Sequence, residues 1–169
     1  GYEVAAHGLD QWNGVAIVSR VGIEDLAVGF DGQPAFAKEH DDGALLAAPR
    51  LEARAIAATC AGVRVWSLYV PNGRSVDDPH YRYKLDFLAR LEEAASALAA
   101  DPGAQLLLAG DWNVIPEDGD VWDPELFRDG LYASGPERRA FQAFGEAGFV
   151  EVTRQAEEAP YTFWDYQRL

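Results

Sequence analysis

A layered α/β sandwich is the fold this sequence predicts, and three observations carry it. Gln105 to Ala109 (QLLLA) is an unbroken apolar run of strand length, the pattern of a strand covered on both faces. Arg54 to Cys60 (RAIAATC) and Val63 to Val70 (VRVWSLYV) are separated by Ala61-Gly62 alone, as in a hairpin. Between these strands lies a stretch with helical periodicity, and elements of both kinds bury their apolar faces by stacking in layers.

The chain has 169 residues, 49% of them hydrophobic and 12% aromatic, enough for one sizeable core and too few for two comfortable domains. No internal repeat, low-complexity tract or linker divides it, so residues 1–169 read as a single domain. It begins without Met at Gly1-Tyr2-Glu3-Val4, entering a strand, and stops soon after an aromatic cluster, which together suggest a fragment.

Taken in order, Gly14 to Arg20 (GVAIVSR) is a short, mostly buried strand bounded by turn residues. Gly29 to Pro49 is Gly- and charge-rich and reads as loop with short strands. Pro71-Asn72-Gly73 ends the second hairpin strand, because proline cannot donate to a ladder and Asn-Gly favours a turn. Asp78-Pro79 supplies an N-cap and first-turn pair for a helix running to about Ala100, with Leu85, Leu88, Leu91, Ala95 and Leu98 three or four apart. Asp101-Pro102-Gly103 stops it before QLLLA. Ser134-Gly135-Pro136-Glu137 has capping-box spacing and starts a second helix with Phe141 and Phe144 on one side and Gly148 at its end. Phe149 to Thr153 is expected to be a further strand.

Charge and composition exclude several function classes. The formal net charge of -14 opposes broad attraction to polyanions. That objection weakens if acids gather around divalent metal, and Asp111, Glu117, Asp118, Asp120, Asp123, Glu125 and Asp129 crowd one segment against Arg128. A solvated acidic loop is the plainer alternative. The single Cys60, in an apolar segment, excludes an internal disulfide framework and a multi-cysteine zinc site. No apolar run approaches the roughly 20 residues of a spanning helix, and no signal-peptide layout opens the chain.

Asp111 follows LLLAG directly, at the carboxyl end of a strand, where open α/β sheets bind ligands. Asn113 reaches the same side if the chain stays extended, so a proton acceptor or metal ligand would meet an amide able to donate to a phosphate oxygen. A plain turn is the alternative for both. Tyr69 and Asn72 bring a phenol and a second amide to another strand end, or serve as a core aromatic and a turn residue. Glu52 and Arg54 share a side if extended, where Arg54 could meet a phosphate or pair with an acid. Tyr161-Thr162-Phe163-Trp164-Asp165-Tyr166 offers flat surfaces for a sugar or base, or a core.

In order and spacing, Trp12 to Ile17 (WNGVAI), Glu52-Ala53-Arg54, Tyr69 to Gly73 (YVPNG), Gly110 to Val114 (GDWNV), Glu137-Arg138 and Tyr161 to Tyr166 together resemble the exonuclease III and apurinic/apyrimidinic endonuclease branch of the endonuclease/exonuclease/phosphatase superfamily. The resemblance covers nearly the whole chain. It implies a four-layer α/β sandwich, two packed mixed sheets flanked by helices, here lacking N- and C-terminal strands. It further implies hydrolysis of double-stranded DNA at abasic sites and 3′ ends in base-excision repair, with Mg²⁺ or Mn²⁺, by a cytoplasmic monomer without a membrane partner.

By the same resemblance Asp111 orients or deprotonates the attacking water, Asn113 holds the scissile phosphate and its transition-state charge, and Tyr69 lies near that phosphate. Asp111 and Asn113 also stand as the chain's contribution to the metal. Asn72, Phe163, Arg54 and Asn13 match DNA-contacting or supporting positions, Phe163 lining the pocket for the flipped sugar. The family's metal-binding Asn and Glu and its Ser-Asp-His block fall outside this chain, and none of His7, His40 or His80 takes the catalytic histidine's role. These residues alone are therefore expected to be inactive. Rival readings keep the fold and change the phosphoester substrate, or keep it as a non-catalytic binding module.

Overall fold

A computed structural model describes residues 1–37 and 48–155. Strands β1 (Glu3–Asp10) and β2 (Asn13–Ser19) form an antiparallel hairpin, and β3 (Glu24–Val28), β4 (Ala55–Cys60), β5 (Val63–Tyr69) and β6 (Leu106–Asp111) form a four-stranded sheet in that order. The β4–β5 turn is Ala61-Gly62, both at positive φ (50° and 83°), as a two-residue hairpin turn requires. β5 and β6 run parallel, joined through helix α1 (Pro79–Ala99). This crossover brings the carboxyl ends of two neighbouring strands side by side.

Alternation sorts the sheet's faces. Ala55, Ala57, Trp66 and Leu68 pack on one side against Phe87, Leu88 and Leu91 of α1 and Phe144 of helix α3 (Gly135–Glu146). Full burial of each large side chain contributes about 1.5–3 kcal/mol, so this cluster anchors α1. Ile56 and Ala58 point the other way, onto Ala5, Val15 and Ile17 of the β1–β2 hairpin. Both helices begin as expected. Asp78 Oδ1 accepts from His80 N at 2.7 Å, and Ser134 and Glu137 form the reciprocal capping box.

Helices, a mixed sheet and a second sheet are thus stacked as the sandwich requires. A second helix layer, the last of the expected four, is not found among the described residues. No helix among the described residues is long and apolar enough to cross a membrane.

Two local expectations are corrected, and one strand is added. QLLLA is not covered on both faces: Leu106 and Leu108 pack on the helix side, whereas Leu107 is 42% exposed, because among the described residues β6 ends the sheet's strand order and β2 packs on β4 and β5. β3 was not legible, since a short, largely exposed strand carrying Glu24 and Asp25 shows no apolar alternation. Phe149 to Thr153 is not a strand. Gly148 (φ 96°) terminates α3 in a Schellman motif, with Phe149 N donating to Phe144 O and Gly148 N to Gly145 O, each at 3.0 Å. The chain then enters a short 3₁₀ turn, Val152–Gln155. Short helix α2 (Pro124–Phe127) lies between β6 and α3.

Candidate active site at the paired strand ends

The parallel register pairs Tyr69 with Asp111, so both side chains leave neighbouring strands on the side facing the β1–β2 hairpin. Val70 N donates to Asp111 O at 2.9 Å, extending the ladder to the last residue of β6. Asp111 and Asn113 converge, though by a different route from an extended chain. Asn113 adopts φ 51°, and Asp111 Oδ1 accepts from its backbone N–H at 2.9 Å. This Asx turn folds the amide back onto the carboxylate. Asn113 Nδ2 then donates to Asp111 Oδ2 at 3.2 Å and to Val70 O at 2.9 Å. Between them Trp112 points into the helix layer, edge-on to Phe141 and Phe144 with ring centroids 5.3 and 5.1 Å away. The half-buried indole pins the turn while Asp111 stays exposed.

Asn72 joins the same cluster. Its Nδ2 donates to the Tyr132 hydroxyl at 2.6 Å and lies 3.4 Å from Asn113 Oδ1, and its own Oδ1 accepts from Arg74 N at 3.0 Å. Tyr69 is half-buried, with the Arg54 guanidinium against its ring face, 5.1 Å from the ring centroid. Arg54 is 5% exposed, paired with Glu52 at 2.5 Å and donating to Tyr69 O at 3.3 Å. Asn13 is 4% exposed and accepts from Ala53 N at 3.2 Å. The structure therefore places Arg54 and Asn13 under the site, as props for Tyr69 and the segment entering β4. Phe163, its aromatic neighbours and His40 lie outside the described residues.

The acidic segment resolves into surface ion pairs: Asp118 meets Arg138 at 2.7 Å, and Asp120 and Glu117 meet Arg154 at 2.7 and 3.4 Å. Asp123 caps α2. Among the described residues no three His, Cys, Asp or Glu side chains converge as a metal site. Asp111 offers one carboxylate, and Asn113 Oδ1 already faces Asn72. The described residues thus do not hold a divalent ion by themselves.

Sequence reasoning passed over Lys84 and Tyr132, and met His80 only to set it aside as a catalytic histidine. Lys84 lies on the buried stripe of α1, donating to Asn113 O, Asn72 O and Glu137. Burial draws its ammonium below the ordinary lysine range, and the Glu137 carboxylate opposes that shift.

His80 is 4% exposed, and its Nδ1 accepts from Gly73 N at 3.1 Å, bracing the turn that carries Asn72. Burial, then the charges of Arg74 and Arg54, lower its pKa from 6.5 to about 4. Between these values the unfolded chain binds a proton that the folded chain refuses. Stability is therefore full above pH 6.5 and declines as pH falls to about 4. The expected loss from this group is about 2–3 kcal/mol. Thermal melts of the native protein and of His80→Gln across that range check it. The variant should show the shallower decline, and equal slopes would remove His80 as the cause.

The profile of the Endonuclease/Exonuclease/phosphatase family matches residues 2–168. An exodeoxyribonuclease of Bacillus subtilis is 32% identical over 121 residues, covering 69% of this chain and 46% of that protein. The 3′ phosphatase NExo from Neisseria, solved bound to a product DNA hairpin, matches with TM-score 0.81 and 33% identity over 99% of this chain and 60% of its own. An AP endonuclease from Archaeoglobus fulgidus matches with TM-score 0.81 and 34% identity over the same shares, 99% and 60%. The chain spans less than two thirds of each of these proteins.

Proposed function

Because this chain belongs to the Endonuclease/Exonuclease/phosphatase family, we propose that the protein it is part of hydrolyses DNA phosphodiesters in base-excision repair, incising 5′ to abasic sites and trimming 3′ ends. One observation carries the reading: an exposed carboxylate, Asp111, sits at the end of β6 with its geometry fixed by Asn113 and its strand paired to Tyr69. Asp111 orients the attacking water and takes its proton. Asn113 steadies that carboxylate and, by releasing the longer of its two side-chain bonds, donates to a phosphate oxygen as charge develops there. Tyr69, over the Arg54 cation, faces the same phosphate, and Asn72 approaches the DNA backbone. Arg54 and Asn13 act by support, and Phe163 walls the pocket for the extruded sugar.

Mg²⁺ or Mn²⁺ belongs to the same reading. The described residues do not form its site, so their own part is confined to water and phosphate. The net charge stands, but the acidic segment is partly neutralised where it lies, because Glu117, Asp118 and Asp120 pair with Arg138 and Arg154. The likeness to NExo favours a second reading, removal of a terminal 3′ phosphate by the same water.

The test compares three substrates with the full-length protein and divalent metal: an abasic duplex, a hairpin ending in a 3′ phosphate, and inositol phosphates. Nicking 5′ to the abasic site is the expected result. Dephosphorylation of the hairpin without nicking transfers the conclusion to the second reading, and turnover of inositol phosphates with both DNAs intact overturns both.

A further inference from the structure

The buried stripe of α1 contains a cation. Lys84 shares that stripe with Phe87, Leu88, Leu91 and Ala95, and its side chain is 0% exposed. Its ammonium donates to Asn113 O at 2.5 Å, to Asn72 O at 3.3 Å and to the Glu137 carboxylate. Glu137, also 0% exposed, accepts from Tyr132 N at 3.1 Å, from Ser134 N at 3.2 Å and from the Ser134 hydroxyl at 2.6 Å. The Tyr81 hydroxyl closes the network on Ser134 at 2.6 Å.

Stability alone does not account for such a pair, since apolar side chains of the same volume often hold a fold equally well. What they cannot do is grip main-chain carbonyls. The two carbonyls gripped here belong to the turns after β5 and β6, and the third partner starts α3. Three segments distant in sequence are thereby tied at one nitrogen. Tyr132 is held in the left-handed region (φ 77°), unusual for a bulky side chain, while Glu137 accepts from its N–H. Its hydroxyl, in turn, accepts from Asn72 Nδ2.

We propose that the Lys84–Glu137 pair is the positioning device of the candidate site: the ammonium sets the Asn72 and Asn113 turns, the carboxylate sets Tyr132, and the two amides and the phenol stay registered beside Asp111. Neither Lys84 nor Glu137 reaches the substrate. Their consequence for catalysis rests on the phosphodiesterase reading, whereas the grip on the turns does not.

Two measurements on the full-length protein test it. In the unmodified protein, nitrogen-detected NMR should find a slowly exchanging Lys84 ammonium coupled across hydrogen bonds to the carbonyls of Asn72 and Asn113. A freely exchanging ammonium overturns the proposal whatever any variant does. The double variant Lys84→Met, Glu137→Gln then replaces the pair by neutral groups of similar length. Its side-chain amide signals of Asn72 and Asn113 are expected to shift, and kcat on the abasic duplex to fall about 10²-fold, the scale set by small misplacement of reacting groups. KM should change far less than kcat, since of the displaced groups Asn72 alone is assigned to the DNA backbone.

Wild-type kcat in the folded double variant, with Asp111→Asn inactive beside it, overturns the positioning role alone. Failure of the unmodified protein to nick abasic DNA, with the ammonium coupling observed, overturns the functional reading and leaves the positioning standing.

Discussion

Asp111→Asn in the full-length protein is expected to lower incision of an abasic duplex by about 10³-fold, within the range general-base groups contribute, while leaving the melting temperature nearly unchanged. The split follows from where the side chain sits. Asp111 is exposed, so its replacement opens no cavity. An asparagine keeps the main contact of the turn, because its carbonyl oxygen can still accept from Asn113 N at the 2.9 Å that Oδ1 now occupies. The longer bond, 3.2 Å from Asn113 Nδ2 to Oδ2, is lost, and an exposed bond of that kind contributes about 1 kcal/mol at most. Catalysis has no such margin. An amide cannot accept the proton of an attacking water, and its NH₂ now faces another donor. Single-turnover incision measured beside thermal melts separates the two effects. Activity within tenfold of the native protein would remove Asp111 from the proton-accepting role.

The same residues show how far the sequence can be read. The hairpin at Ala61-Gly62, the Asp78 cap and the Ser134–Glu137 capping box were legible because each is local, involving residues at most three apart. That Asp111 and Asn113 meet was legible from their spacing. Their means of meeting was not, since the Asx turn depends on φ 51° at Asn113, which Asn tolerates but does not dictate. Arg54 illustrates the opposite limit: its type allowed a phosphate or an acid as partner, and the fold pairs it with Glu52 while it donates to Tyr69 O. Lys84 was missed because a cation on an amphipathic helix is ordinarily assigned to the wet face. The signal was nonetheless present: Lys84 precedes Leu88, Leu91 and Ala95 at helical spacing, on the stripe that must be buried. Its partner Glu137 was recognised for capping, and nothing local shows that a cap also closes an ion pair 53 residues away in sequence. Leu107 misled for a related reason, as an apolar run does not reveal which strand ends the sheet among the described residues.

Gly110→Ala is expected to damage the fold where Asp111→Asn spares it. Gly110 adopts φ 141°, and a Cβ placed there would lie 2.0 Å from Leu68 O and 2.8 Å from both Leu68 C and Leu68 N. These are backbone atoms of β5, in the residue paired with Gly110, so no side-chain rotation relieves the overlap. Either β6 moves away or the ladder breaks at its carboxyl end. A steric conflict of this kind, joined to an unfavourable φ, belongs with the largest single-residue effects, about 4 kcal/mol or more. For a chain of this size that corresponds to a fall of about 10 °C or more in melting temperature. Gly119→Ala is the matched control: nothing lies within 4 Å of its added Cβ, and little change is expected. Denaturant melts of the two variants in the full-length protein provide the measurement, and equal midpoints would show that the close approach at Leu68 is not needed. The functional consequence is contained in the same geometry. Only with β6 this near to β5 does Val70 N reach Asp111 O at 2.9 Å, the rung that sets Asp111 beside Tyr69. Gly110 therefore acts on the carboxylate through distance: an alanine there would displace the candidate base even in molecules that remain folded.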